Sequence, residues 1–279
     1  MKRIDIVIPL SRESVCGDFE LRMALRSIAR YVRNVGSIWL VAEELPGWCR
    51  DLRHIRHGDP YRANKDANLF AKILRACREP ELTEKFLFWS DDQVILRPMP
   101  PEGIPPVYNR RGPEAFRGKG RWHERMRNTF AFLAARGIRL DWNWDSHVPQ
   151  MFDKKLFSEQ IAPLDYVSQP GFCINTLYFG LLRIPACVPQ ELVKMTCESD
   201  RPVTALDTRK LFLGYNDNAL RNGLAELLEK FFPAPCRYEA GYGETTDGSS
   251  SAAQTMASSS TSKISAAQGG IACPAPRSP

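Results

Sequence analysis

Phe86-Leu87-Phe88-Trp89-Ser90-Asp91-Asp92-Gln93-Val94-Ile95-Leu96 is the stretch whose reading decides the fold. Four bulky apolar residues in a row, Phe86 to Trp89, suit a strand covered on both faces of a parallel sheet. Such a strand delivers whatever follows it to the carboxyl edge of the sheet, where open α/β folds place their ligands. Asp91 and Asp92 are therefore the first candidates for chemistry. Adjacent carboxylates repel, and the arrangement is costly unless a cation, a proton or solvent relieves it. A hard divalent ion, Mg²⁺ or Mn²⁺, held by one or two carboxylates plus phosphate oxygens would do so. A solvated turn between two strands would explain the same residues without chemistry.

Outward from this stretch, strands alternate with helices. Arg3 to Pro9 is β-branched and ends at proline, a first strand. Ser11 to Gly17 is a loop at its carboxyl end, and Asp18 can cap a helix with Leu21, Leu25, Ile28 and Val32 on one face and Arg22, Arg26 and Arg30 on the other. Ser37 to Ala42 is a second buried strand, Leu52 to Ile55 a short third, and Asn64 to Arg78 a helix through Leu69, Ile73 and Cys77. This order argues a mostly parallel, doubly wound sheet with helices on both faces.

Beyond it, Pro98 to Gly120 reads as a long loop, Arg121 to Arg136 as a helix with Met126, Phe130 and Leu133 inward, and Phe152 to Ile161 as a short helix. Tyr166 to Ile184 mixes strand and helix signals. Asn216-Asp217-Asn218 opens a helix whose Leu220, Leu224, Leu227, Leu228 and Phe231 share one face, stopped by Phe232-Pro233-Ala234-Pro235. The expected organisation is one α/β domain over 1–239, with halves 1–97 and 98–239, a helical C-terminal part, and a disordered Ser/Ala-rich tail over 240–279.

Composition narrows the class. The 279 residues are 43% hydrophobic and 25% charged, ordinary for a soluble globular protein. Met1 to Pro9 is too interrupted for a signal peptide and no stretch offers a membrane span, so a cytoplasmic protein is expected, with peripheral membrane contact left open. The eight cysteines form neither a C-x-x-C pair nor a zinc-spaced cluster and read as reduced structural thiols. Of the +6 net charge, the segment Arg97 to Arg139 concentrates ten Lys/Arg against Glu102, Glu114 and Glu124. Nothing calls for a specific nucleic-acid partner.

Four stretches in order carry a resemblance. Glu20-Leu21-Arg22-Met23-Ala24-Leu25-Arg26-Ser27-Ile28 is close to E-L-R-x-S-L-R-S-I; Leu82 to Asp92 is similar to L-S-E-x-F-x-Y-x-N-D-D; His147-Val148-Pro149 is similar to H-x-P. Asn216-Asp217-Asn218 with Phe231-Phe232-Pro233-Ala234-Pro235-Cys236-Arg237-Tyr238-Glu239 is like N-D-N followed by F-F-P-x-P-S-x-F-E. Over residues 20–239 the chain thus resembles the Stealth family of sugar-1-phosphate transferases, bacterial capsular polysaccharide phosphotransferases and the lysosomal-enzyme GlcNAc-1-phosphotransferase among them.

The resemblance implies a nucleotide-diphosphosugar-transferase (GT-A-like) sheet and transfer of sugar-1-phosphate from a nucleotide-sugar donor to a carbohydrate acceptor hydroxyl. It implies Asp91 and Asp92 as donor and metal carboxylates, Asp92, His147 and Asp217 as catalytic, and Asn216 as substrate-binding. Asn216 and Asp217 serve equally as a helix N-cap. Three family features are absent. No acid follows the first strand at the matching position, Leu69 stands where a donor-facing glutamate is expected, and Gly171-Phe172-Cys173-Ile174 lacks an arginine. Arg97, Arg110, Arg111 and Arg121 are candidates to neutralise a diphosphate in its place. Two other functions remain open: glycosyl transfer at the anomeric carbon, and a catalytically silent relative that binds an acidic polymer through Arg97 to Arg139.

Overall fold

Alternation along Ile4–Pro9 sets the layers: Ile6 and Ile8 face one way, Val7 the other, and all three are fully buried. The computed structural model describes residues 3–11, 17–100, 103–197 and 201–242. In order the elements are β1 (Ile4–Pro9), α1 (Phe19–Tyr31), β2 (Val35–Ala42), β3 (Arg53–Arg56), α2 (Lys65–Cys77), β4 (Lys85–Phe88), β5 (Gln93–Ile95), β6 (Val107–Tyr108), α3 (Arg121–Ala134), β7 (Gln150–Asp153), α4 (Lys154–Ile161), α5 (Ile174–Leu181), β8 (Val188–Pro189), α6 (Gln190–Val193), β9 (Lys194–Cys197), β10 (Phe212–Tyr215), α7 (Asp217–Ala219) and α8 (Ala225–Phe231).

The central sheet has five strands in the order β3-β2-β1-β4-β7, parallel except for β7, which runs antiparallel to β4. Helices cover both faces, so the chain has the mixed α/β, mostly parallel architecture read from its sequence. On one face Ile6, Ile8, Ile38 and Leu40 meet Leu21, Leu25 and Ile28 of α1. On the other Val7, Trp39, Val41, Phe86 and Phe88 meet Phe70 and Ile73 of α2 and the aromatics of α4 and α5. Each such side chain contributes about 1.5–3 kcal/mol when removed from water. Asp5 is the polar exception inside β1: its carboxylate accepts from Ser37 N (2.7 Å), Trp39 Nε1 (3.0 Å) and Thr83 N (3.1 Å), joining three segments. A Cβ at residue 36 would fall 2.2 Å from Asp5 Oδ1, which is why glycine stands there.

Several local expectations change. Phe152 belongs to β7, paired with Phe86, and the helix begins at Lys154 behind Asp153, whose side chain accepts from Leu156 N. The apolar spacing of residues 152–161 is helical, but the hydrogen bonds of β4 and the stack of Phe152 on Phe88 (5.2 Å) and Phe157 (5.1 Å) claim its start. Asp18 precedes α1 in a left-handed conformation (φ 61°) and makes no side-chain cap bond. The 98–120 segment contains β6, paired with β8, and the ambiguous 166–184 segment contains α5.

The C-terminal part adds to its helices a second sheet, β5-β10-β9, that takes up the chain as it leaves the carboxylate turn. The helix after Asn216 is interrupted at Asn222 and Gly223, where φ 98° suits glycine. Arg22 and Arg26, on the face of α1 opposite its leucines as read, clasp Glu239. Arg26 Nε donates to Oε1 at 2.7 Å and its NH2 to Oε2 at 2.8 Å, Arg22 adds a 3.1 Å bond, and Trp48 lies 3.9 Å beneath the Arg22 guanidinium. Of the 240–279 tail, Ala240 N donates to Trp48 O, and residues 243–279 lie outside the described residues. No described helix is long and apolar enough to cross a membrane.

Candidate functional site

The turn that ends β4 is built from its own side chains. Trp89 is fully buried and its Nε1 donates to Gln93 O at 2.8 Å, while Ser90 N donates to Gln93 Oε1 at 3.3 Å. Those bonds fold residues 90–92 into a tight reversal between two different sheets. The turn is half-buried, with the Asp92 side chain 36% exposed. Burial first, then Asp92, then Glu20 push the Asp91 carboxyl from its ordinary 3.8 up to about 7. Asp92 Oδ2 lies 3.0 Å from His147 Nε2, and Asp92 Oδ1 is buried with no hydrogen-bond partner among the described residues.

His147 arrives on the loop before β7, held on either side by main-chain anchors. Asn109 and Asn143 exchange backbone bonds, Trp144 N donates to Thr176 Oγ1 at 3.0 Å, and Gln150 Nε2 reaches both Val107 O and Ser146 Oγ. The backbone at His147 is left-handed (φ 53°), a conformation uncommon for a side-chain-bearing residue. It turns the imidazole toward Asp92, while Trp144 packs against Phe179 and Trp142 against Tyr108. An ionised Asp92 accepts only, so the tautomer with hydrogen on Nε2 suits this contact.

β10 supplies the third side. Gly214 is opposite Gln93 in the antiparallel register, which carries Tyr215 and Asn216 on toward Asp92 and Asp91. Asn216 Oδ1 accepts from Ala219 N at 3.1 Å, so Asn216 is the N-cap; Asp217 is the first helical residue and is exposed. A Cβ at Gly214 would fall 2.8 Å from His147 O, 2.8 Å from Lys194 Cε and 3.1 Å from His147 Nδ1. A glycine is required for that convergence.

The basic residues do not gather here. Arg97 lies past the far end of β5 and is exposed; Arg110 is exposed and paired with Glu191 at 2.7 Å. Arg111 sits over the rings of Phe116 (5.1 Å) and Trp122 (5.2 Å), and Arg121 is exposed at the start of α3. The arginine of that segment that turns inward is Arg125, which pairs with Asp66 beside buried Cys173. Sequence reading passed over Arg125 because it flanks, rather than breaks, the Met126-Phe130-Leu133 stripe. It also passed over Glu20, although that residue opens the first resemblance stretch, and over Lys194, which no motif marks.

At the carboxyl end of β1, the sheet edge that also carries the turn, a cavity of about 800 Å³ is lined by Pro9, Ser11, Glu43, Asp59, Arg62, Lys65 and Lys72, with Leu69 and Asn68 of α2 in its wall. Lys72 is buried there, donating to Leu10 O and pairing with Asp59, both at 2.6 Å. A second groove of about 460 Å³ lies between α1 and the Phe232 to Tyr238 turn, away from the carboxylates. Among the described residues no three His, Cys, Asp or Glu side chains are gathered to hold a metal ion by themselves. The six described free cysteines are consistent with structural thiols: five are buried, and burial pushes Cys49 and Cys77 up to about 12.

Fold and site together define an α/β protein with a carboxylate-histidine centre at the carboxyl edge of a mostly parallel sheet. No protein-family model and no curated protein matches the chain. Among solved structures it is similar to the galactosyltransferase LgtC in complex with donor and acceptor sugar analogs, with a TM-score of 0.47 and 11% identity over 83% of this chain and 96% of that one.

Proposed function

We propose that the chain is a nucleotide-sugar-dependent transferase, GT-A-like in fold and a divergent member of the Stealth family, that moves sugar-1-phosphate to a carbohydrate hydroxyl. The observation that carries this reading is the Asp91-Asp92-His147 group: a carboxyl forced up to about 7, a carboxylate with one buried oxygen lacking a partner, and an imidazole 3.0 Å from the other oxygen. Both carboxylates fit a Mg²⁺ or Mn²⁺ ion, since such ions take one or two protein carboxylates and complete their shell with phosphate oxygens and water. Asp92 Oδ1 and Asp91 would hold it, and when bound it would neutralise charge on a donor diphosphate.

The cavity at the end of β1 would take the nucleotide, with Arg62 as a cation beside the Lys72–Asp59 pair and Glu43 as an acceptor for hydroxyls. Leu69, at the position of the donor-facing glutamate in the resemblance, is in its wall. The acceptor oxygen would attack the sugar-bearing phosphorus, its proton passing to His147 as the bond to the nucleoside monophosphate breaks. The imidazolium formed is stabilised by Asp92.

The test is to incubate the protein with Mg²⁺ or Mn²⁺, a panel of nucleotide sugars and sugar acceptors, and to identify the nucleotide released. A monophosphate is the expected product. A diphosphate would move the reaction to the anomeric carbon. No metal-dependent binding or turnover across the panel would leave polymer binding by Arg97 to Arg139 as the better account.

A further inference from the structure

We propose that the groove between α1 and the Phe232 to Tyr238 turn binds a small phosphate monoester, at a site separate from the carboxylate-histidine centre and independent of the donor reading. Val35 opens β2, and Asn34 O accepts from Ile4 N at the start of β1, so this groove of about 460 Å³ is at the amino edge of the central sheet. Asp91 stands at the opposite edge, after the end of β4. Along α1, Glu20 and Arg30 are about 15 Å apart at the helical rise. A cavity of this size takes one small molecule.

Charge identifies the ligand. Arg26, Arg30 and Arg237 line the groove, and no Asp or Glu stands in its wall among the described residues. Arg26 is occupied by Glu239, whose carboxylate is 1% exposed behind it. Among the described residues Arg30 and Arg237 have neutral acceptors only: Arg30 donates to Phe231 O at 2.7 Å and Arg237 to Tyr238 Oη at 2.5 Å. Aromatic rings hold both in place, Arg30 lying over Tyr31 (5.0 Å) and Phe231 (5.3 Å) and Arg237 over Tyr238 (4.7 Å). Two preset guanidinium forks without a counter-charge match a phosphate monoester, which carries about −1.5 to −2 charge near pH 7 and three acceptor oxygens. A carboxylate offers one charge and is filled by a single fork. Much of the remaining wall is apolar, with Val32, Val35, Pro233 and Pro235, and with Tyr242, a ring left 61% exposed. That surface suits the apolar body that carries the phosphate.

The experiment is a calorimetric titration of the full chain with phenyl phosphate, without metal, and in parallel with benzoate. Phenyl phosphate should bind, and benzoate should bind at least about tenfold more weakly. Arg30→Gln and Arg237→Gln should each weaken phenyl phosphate binding by about tenfold or more, the loss of a charge-assisted contact. Arg62→Gln, in the cavity at the end of β1, should leave it within about threefold of the wild type. Arg30 and Arg237 are exposed, so each variant should fold, and Arg237→Gln decides if Arg30→Gln does not. A folded variant of either arginine that binds within about threefold of the wild type overturns the proposal. So does a wild type that binds none, equal binding of benzoate, or a loss that follows Arg62→Gln instead. Nucleotide-sugar turnover bears on the donor reading alone, and neither result depends on the other.

Discussion

Replacing Asp91 by asparagine should make the protein more stable at alkaline pH. The folded chain holds a proton on Asp91 up to about 7, whereas the unfolded chain releases it near the ordinary 3.8. The stability linked to that proton is fully present below 3.8, declines as pH rises, and is gone above about 7. Roughly three pH units at about 1.4 kcal/mol each give about 4 kcal/mol. Solvent reaching the half-buried turn screens part of this, so about 2–4 kcal/mol is the working range.

Asp91→Asn keeps the shape and deletes the charge. At pH 8 the variant should exceed the wild type by that amount, roughly 4–16 °C in Tm for a chain of this size. At pH 4 the two should agree to within about 0.5 kcal/mol. Millimolar Mg²⁺ should narrow the gap at pH 8 by binding the wild type alone. Urea and thermal unfolding at both pH values, with and without the ion, measure all of this. An Asp91→Asn protein less stable than the wild type at pH 8, or offset equally at both pH values, would refute the idea of a mutually repelling pair.

Three further outcomes are expected. His147→Gln retains an amide that can donate to Asp92 but no group that titrates, so kcat for nucleotide-sugar turnover should fall by about 10²–10⁴; activity within about threefold of the wild type would remove His147 from proton transfer. Glu239→Ala leaves Arg26 uncompensated beside a carboxylate site that is 1% exposed, and should cost about 3–5 kcal/mol in urea unfolding. Burial alone would raise the Glu239 carboxyl, but Arg26, Arg22 and Cys236 N together hold it below its ordinary range, so that clasp should loosen as pH falls through the lowered value. Gly180→Ala places a methyl 2.6 Å from Leu133 Cδ1, where α5 crosses α3, and should cost about 1–3 kcal/mol because Leu133 is fully buried and has no room to yield.

The layers of this protein were legible because hydrophobic periodicity is local. Ile6, Val7 and Ile8 declare a strand buried on both faces, and Leu21, Leu25 and Ile28 a helix with one apolar side. The Phe86 to Trp89 run likewise places Asp91 and Asp92 at the sheet's carboxyl edge without reference to any distant residue. The shortest elements were not legible: Phe212-Leu213-Gly214-Tyr215 carries four residues and a glycine, too little to announce a strand. Phe152 and Asp153 read as the start of a helix until β4 offered them hydrogen bonds, because pairing is a property of two segments.

For the site, the amino-acid sequence by itself determined which carboxylates stand together and that His147 is a candidate partner. Only tertiary structure decided that Asp92 and His147, 55 positions apart, meet at 3.0 Å. It likewise decided that Arg26 serves Glu239 rather than solvent, and that His147 and the stem of Lys194 both close on Gly214. The physical reason is that local sequence encodes which face of an element seeks burial. Which side chains converge depends on strand register and on the close approach that a single glycine permits, and neither is a property of nearby residues.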